Sequence, residues 1–369
     1  MSAGARTTAA TAAPARSPLR LSVPLTVLAF LVLTLLPLWT ERRVLNDLFG
    51  VLTLFALAQY WNLLAGYAGL VSIGQHAYVG IGAYVLFAAG IFLGLDPLTG
   101  ILLAGIAAAA LSVPAGLFIF RLGGAYFAVA TWVAAEIFRL LAARITPLGG
   151  GAGTSLPPSV MELLPGVVEI RHLFGVPTGA ARDIVLYWTA LALAAFALWM
   201  SWALLRSRPG LALAAVRDDE RAAAGLGVDV RAVKFLVHVF AAFGAGATGA
   251  LIFLDIGRIS PAAAFSVLDW TAYVIFVVVL GGFGRLEGPL LGAVLFFVLE
   301  KAFADYGSWY LMALGLLGVL VMLFAPHGLW GWLERRFALE WFATRRVPPA
   351  SAVPPYDSRS STQREGRSP

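Results

Sequence analysis

The chain has 369 residues, 60% hydrophobic and only 12% charged, with a mean hydropathy of +0.84. An ordinary soluble domain is about 25% charged, so too little polar surface is present to cover a water-soluble globule, which excludes a soluble enzyme, a secreted domain and a disordered protein. The absence of cysteine removes disulfides, thiolate metal sites and thiol nucleophiles. The net charge of +6 is concentrated in the tails and one central loop, a pattern that suits the anionic face of a bilayer and not nucleic acid.

Residues 1–20 carry Arg6, Arg16 and Arg20 without acids and predict a disordered basic tail. An apolar run over 21–39 follows. It is longer than a secretory signal core and lacks a small-residue cleavage pattern, so it reads as an uncleaved first span. A bilayer crossing needs about 20 apolar residues. On that basis spans are expected near 21–39, 44–63, 76–94, 98–119, 124–142, 184–205, 235–256, 266–281, 288–304 and 309–331. This makes an all-α polytopic membrane protein of about ten helices, its transmembrane domain covering 21–332. The last two spans are closely spaced and could form a hairpin. Residues 333–369 form a C-terminal tail, predicted disordered from about 344.

With both ends inside, 18 basic residues lie on the cytoplasmic side and 6 outside, which favours N-in and C-in. An external loop then occupies about 143–183 and a cytoplasmic one about 206–234.

Between the second and third spans, Gly66, Gly69, Gly74, Gly80 and Gly82 cluster around Ser72 and Gln75, just after Asn62. Glycine here permits a broken helix or a close approach of two backbones. Two readings stand: tight packing alone, or an element that lines or gates a path. A phosphate-binding loop is a poor fit, since no Gly-Lys-Ser/Thr follows and no strand precedes. A second Gly-rich run, 281–292, falls between spans eight and nine and hints at an internal pseudo-repeat. Within spans, Glu136 precedes Arg139 by three residues, so the two can pair on one helix face. Asp255, Asp269 and Glu300 fall near span ends, where pairing or snorkelling would satisfy them. His238 reads as a packed or interfacial histidine.

In the central loop, Pro209 suits a helix start and Gly225 and Gly227 suit a helix end. One surface helix of about 14 residues is expected over 211–224, ending in the charged knot Arg217-Asp218-Asp219-Glu220-Arg221 and its alanines. A solvated connector would account for it. A docking surface for a soluble partner would also need such a mixed-charge helix.

The stretch Ala-Leu-Ala-Ala-Val-Arg217-Asp218-Asp219-Glu220-Arg-Ala-Ala-Ala-Gly-Leu-Gly227 resembles the coupling loop of branched-chain amino acid ABC-transporter permeases. The resemblance extends to Asn62-Leu-Leu-Ala-Gly66-Tyr-Ala-Gly69-Leu-Val-Ser72-Ile-Gly74-Gln75-His, Gly123-Gly-Ala-Tyr-Phe-Ala-Val-Ala-Thr131, Ile259-Ser260-Pro261, Gly281-Gly-Phe-Gly284-Arg-Leu-Glu-Gly288 and Phe324-Ala-Pro326-His-Gly328. These segments occur in family order over about 45–332 and are most similar to the subunit type called LivM. The general importer coupling motif is only approximated here.

The resemblance implies a multi-pass protein of a bacterial or archaeal inner membrane. It implies a second, homologous permease subunit, two separate ABC ATPase subunits and an extracytoplasmic solute-binding protein as partners. Leucine, isoleucine and valine are the implied substrates, with urea or amides, sugars and nucleosides as alternatives. On this reading Asn62, Gly66, Gly69, Ser72, Gly74 and Gln75 belong to the translocation path or its gate. Arg217, Asp218, Asp219, Glu220 and Gly227 belong to the ATPase interface. No catalytic residue, metal or cofactor is expected in the chain itself. Two other classes fit less well. An ion-coupled secondary transporter would want several mid-membrane acids, and an intramembrane enzyme would want a nucleophile–base or metal constellation that four scattered histidines do not supply.

Overall fold

The computed structural model describes residues 19–303, 308–324 and 328–337. The predicted tail residues 1–18 and 338–369 lie outside the described residues. In chain order the helices are α1 (Leu19–Leu35), α2 (Arg42–Asn62), α3 (Gln75–Leu93), α4 (Pro97–Ile119), α5 (Ala125–Ala142), α6 (Pro158–Glu162), α7 (Val167–Phe174), α8 (Thr178–Arg206), α9 (Arg208–Asp218), α10 (Glu220–Gly225), α11 (Val230–Ile256), α12 (Pro261–Ala264), α13 (Tyr273–Gly281), α14 (Gly288–Phe303), α15 (Ser308–Phe324) and α16 (Gly328–Phe337). Two π-helical turns, Leu63–Tyr67 and Leu268–Ala272, extend α2 and precede α13. The sheet is minimal: β1 (Thr154–Ser155) pairs antiparallel with β2 (Arg258–Ile259), Thr154 opposite Ile259.

Among the described residues, eight segments are long and apolar enough to cross a bilayer. The predicted first and ninth spans correspond to shorter helices, α1 with 17 residues and α14 with 16. The chain is an all-α, multi-pass membrane protein.

Its centre is the contact of α3, α4 and α11. Lipid gives no hydrophobic drive for helix association, so small residues that let backbones approach take over. A Cβ on Gly82 would stand 2.9 Å from Gly246 Cα, and one on Gly249 2.6 Å from Val79 Cα. Gly105 faces the Phe243 ring, and Gly244 faces the ring of Tyr60 on α2. α8 packs against α2 from the outer side, and Arg42 is ion-paired to the buried Asp183 where these two helices begin.

Three differences from the sequence expectation are informative. Residues 143–177 form a folded cap, not an open loop. Leu148, Leu156, Val160, Leu164 and Ile170 are buried, and Val160 sits on the face of α3 left open by Gly90. The last two spans do not form a tight hairpin. α14 and α15 each pack on α13, and an apolar cleft lined by Leu299, Phe303, Leu314 and Leu317 lies between them. The predicted span 309–331 divides into α15 and α16, with Gly328 at φ +68° packed against the backbone of Gly282.

Of the charges near span ends, Asp255, Asp269 and Glu300 form no ion pair among the described residues, whereas other charges do pair. Lys301 bonds Asp47 at 2.5 Å and Arg285 bonds Glu334 at 2.7 Å. Glu136 and Arg139 pair within α5, Nε to Oε2 at 2.8 Å.

Candidate functional site

α2 does not end cleanly. It widens into the π turn 63–67, leaves helical geometry over 69–74, and the chain resumes as α3 at Gln75. Gly69 makes the reversal possible, with φ +69°, a conformation costly for residues with a Cβ. An added Cβ at Gly69 would meet nothing within 4 Å, so this glycine serves the turn and not a close helix contact.

After the turn the chain climbs back along α2. The Trp61 indole donates to Ser72 O at 2.8 Å, and the Gln75 amide donates to Leu57 O at 2.9 Å. Leu57 lies ten residues above Tyr67, so α3 starts roughly 15 Å inside the bundle at 1.5 Å per residue. Unwound backbone at that depth needs partners. They come from three places: Thr131 Oγ1 on α5 accepts from Ile73 N (3.0 Å), Ser72 Oγ accepts from Gly74 N (3.2 Å), and Thr271 Oγ1 on the second π turn accepts from His76 N (3.2 Å). α5 comes so close that a Cβ on Gly74 would stand 2.6 Å from the Thr131 carbonyl carbon.

Beside this break, Ser72, Gly74, Thr131, Tyr78 and His238 line a small cavity. The Tyr78 hydroxyl and His238 Nε2 are 2.8 Å apart, and His238 packs edge-on to Phe120. His238 is thus a buried, packed histidine.

The lower end of α2 is clasped to the 282–287 turn. Asn62 Nδ2 donates to Arg285 O at 2.8 Å, and Gly284 N donates to Asn62 Oδ1 at 2.9 Å. One amide side chain therefore satisfies both a donor and an acceptor of a loop 222 residues away. Gly66 completes the clasp, since a Cβ there would lie 2.7 Å from Gly284 N.

The central loop meets this clasp. It contains two helices, not the single helix of about 14 residues expected from propensity. Ser207 caps α9 and Pro209 sits in its first turn. The helix breaks at Asp219 (φ −156°, ψ 110°), whose carboxylate accepts from Arg221 N (2.8 Å) and Ala222 N (3.0 Å) and starts α10. An aspartate that can cap competes with helix continuation, which is why the run breaks there. Gly227, at φ +85°, ends α10, as its position suggested.

The break sends the four charges in different directions. Arg217 turns toward the membrane domain, its guanidinium 6.0 Å from the centroid of Tyr67, within cation–π range, and beside Gly284. Asp219 is the cap. Glu220 bonds Lys234 at 2.7 Å. Asp218 is exposed and has no hydrogen bond or ion pair among the described residues. Leu226, at the end of α10 on the same loop, is 84% exposed.

The structure thus joins two residue sets expected to have separate roles: Arg217 of the loop and Asn62 and Gly66 of the break share Gly284. Thr131 and Thr271 were not singled out from the sequence, and the Gly284–Arg285 turn was seen only as part of the Gly-rich run 281–292, with no link to the break. Thr131 and Gly284 do fall within family-like stretches, but no sequence spacing connects them to residues 62–76.

Residues 45–325 match the family described as branched-chain amino acid transport system / permease component. The chain is 32% identical over 279 residues to the high-affinity branched-chain amino acid transport system permease protein LivM of Escherichia coli (strain K12), covering 73% of this chain and 65% of that protein. The LivM protein of Salmonella typhimurium gives the same identity and coverage. A probable branched-chain amino acid transport permease protein LivM of Methanocaldococcus jannaschii is 26% identical over 178 residues, 44% of this chain and 51% of that one. The chain spans just under two thirds of the length of the two bacterial relatives. No solved structure matches it significantly. The matched region runs from the start of α2 into α15 and so contains the break, the clasp and the two-helix loop alike; the chain belongs to the branched-chain amino acid transport permease family.

Proposed function

We propose that this chain is the membrane-spanning permease subunit of a binding-protein-dependent ABC importer of an inner membrane, forming part of the path for branched-chain amino acids. Its partners on this reading are a homologous second permease subunit, two ABC ATPase subunits and an extracytoplasmic solute-binding protein. The end of the bundle bearing α9 and α10 faces the cytoplasm, in keeping with the excess of basic residues there. Family membership carries the reading. The linkage of Arg217 to Tyr67 and Gly284 supports it, because a coupling loop must contact the element it moves.

Asn62, Gly66, Gly69, Ser72, Gly74 and Gln75 form the gating element, and the loop from Arg217 to Gly227 forms the ATPase contact. Within that loop we assign Asp218 and Leu226, which are exposed, to the ATPase contact, and Arg217, Asp219 and Glu220, which are engaged within the chain, to holding the loop in shape.

The test is purification of the tagged chain with its co-expressed partners, followed by reconstitution into liposomes. Uptake of leucine, isoleucine and valine should require ATP and the loaded binding protein. Uptake driven by an ion gradient without ATP would overturn the reading in favour of a secondary transporter.

A further inference from the structure

The Glu136–Arg139 pair lies along α5 at the edge of its exposed apolar stripe. Arg139 reaches Glu136 through Nε at 2.8 Å and through Nη2 to the second carboxylate oxygen, yet the two side chains remain 33% and 47% exposed. Glu136 lies six residues from the end of its helix, about 9 Å down at 1.5 Å per residue. Charged groups at membrane depth face protein or a water-filled path, not lipid. The neighbours on this face are apolar: Val129, Trp132, Val133 and Leu140 are each about half exposed, at spacings that put them beside the pair. Below it, the same helix supplies Thr131 to the break, and Glu136 is within electrostatic reach of His76 in the first turn of α3. The pair therefore stands next to the broken helix, facing away from the chain's own core.

An α-amino acid carries one carboxylate and one ammonium on neighbouring atoms, the same two charges as the pair. The planar guanidinium fork of Arg139 matches a carboxylate in two-point fashion. An exchange of partners would leave no charge unpaired at any stage and would leave the total charge unchanged. A pair alone would select zwitterions over ions of either sign.

We propose that Glu136 and Arg139 are a substrate contact in the translocation path: the pair opens to receive an amino-acid zwitterion, Arg139 taking its carboxylate and Glu136 its ammonium, with Trp132 and Val133 meeting the apolar side chain. This deepens the amino-acid importer reading and rests on it.

The test uses the complete reconstituted transporter with Glu136→Gln, Arg139→Gln and the double variant carrying both. All three should lower leucine uptake at least tenfold. ATP hydrolysis stimulated by loaded binding protein should stay within twofold of the unaltered complex, and the ATPase subunits should remain bound. A pair that only neutralises itself predicts a different result. Each single variant would then be impaired by its unpaired charge, and the double variant would regain uptake to within twofold. That result, or full uptake in either single variant, overturns the proposal.

A second measurement stands apart from those variants. The chain has no cysteine, so Val133→Cys gives one thiol on this chain, probed with a charged, membrane-impermeant thiosulfonate. The thiol should be modified, and more slowly during turnover with leucine-loaded binding protein. No modification would mean that lipid or a tightly packed partner helix covers the face, and would overturn the proposal. If the unaltered complex takes up no branched-chain amino acid, the functional reading fails and the contact falls with it. Uptake retained in the double variant removes the contact alone.

Discussion

Two chain reversals each carry a pair of glycines three residues apart, Gly66 with Gly69 and Gly281 with Gly284, and in both pairs the two glycines answer different physical needs. The first of each motif is jammed against backbone: a Cβ on Gly66 would stand 2.7 Å from Gly284 N, and one on Gly281 2.8 Å from Gly292 N. The second of each is left-handed, with φ +69° at Gly69 and +70° at Gly284. The reversals then diverge. After Gly284 the chain enters α14 within four residues, and its turn backbone is held by the side chain of Asn62 while Arg285 pairs with Glu334 on α16. After Gly69 it runs back into the bundle for five residues, held by hydroxyls of Thr131 and Thr271 from distant elements. The short turn is a clasp on one helix end. The long one is a junction of three elements, and cannot move without α5 and the second π turn.

The largest effect that tests this contrast is at Gly66. Gly66→Leu puts a branched side chain against the Gly284 backbone, which no rotamer avoids. Overpacking a well-filled core costs about 1–3 kcal/mol, occasionally more, and here the obstacle is main chain. Loss of folded protein in the membrane is expected. Gly69→Ala should cost less, about 1–2 kcal/mol for a left-handed residue with a Cβ, and Gly69→Asn should recover part of that because asparagine tolerates the conformation. Thermal unfolding in detergent measures all three. If Gly69→Ala is more damaging than Gly66→Leu, the division of roles within the motif is wrong.

Next in size is Asn62. Asn62→Leu leaves Gly284 N and Arg285 O without their partners, at about 1–3 kcal/mol for each buried group left unsatisfied. Asn62→Asp keeps the acceptor for Gly284 N but sets a carboxylate oxygen against a carbonyl. Both should lower the unfolding temperature, and both should abolish ATP-coupled uptake even where folded protein is recovered. Thr131→Val, which removes one of several supports of the long junction, should lower the unfolding temperature less than Asn62→Leu. An equal or larger drop would make the long junction the more weakly shared of the two.

Much of this architecture was legible in the sequence because its causes are local. Span positions follow from runs of apolar residues. The Glu136–Arg139 pair follows from helical spacing, and the end of α10 follows from Gly227. The glycine cluster announced an unusual junction, but composition could not say which glycine turns the chain and which admits a neighbour. That depends on what stands opposite: Gly284 at Gly66, Thr131 at Gly74, open space at Gly69. The folded cap over 143–177 was hidden for a related reason. Its buried Leu148, Val160 and Ile170 are too widely spaced to form a run, and they make sense only once Gly90 of α3 is seen to receive Val160. The clasp itself is a contact between residues 222 apart, which no periodicity encodes.

The smallest effects on stability, and the sharpest on partners, are expected in the charged knot. Glu220 is 59% exposed in its bond to Lys234, and exposed pairs are worth about 0–1 kcal/mol. Glu220→Ala should therefore leave both folding and ATPase retention nearly unchanged. Asp219→Ala removes a helix cap, worth about 0.5–2 kcal/mol, and should loosen α10 without touching the clasp. Asp218 contributes nothing to the fold that its removal would forfeit, because its carboxylate has no partner among the described residues. Such a charge is left free to pair with a group on another protein. At a desolvated interface its loss typically costs 2–5 kcal/mol of binding. Asp218→Ala should therefore unfold at the normal temperature while releasing the ATPase subunits and uncoupling hydrolysis from uptake. Retention of the ATPase by Asp218→Ala, together with its release by Glu220→Ala, would reverse the assignment and place the interface on the α10 face instead.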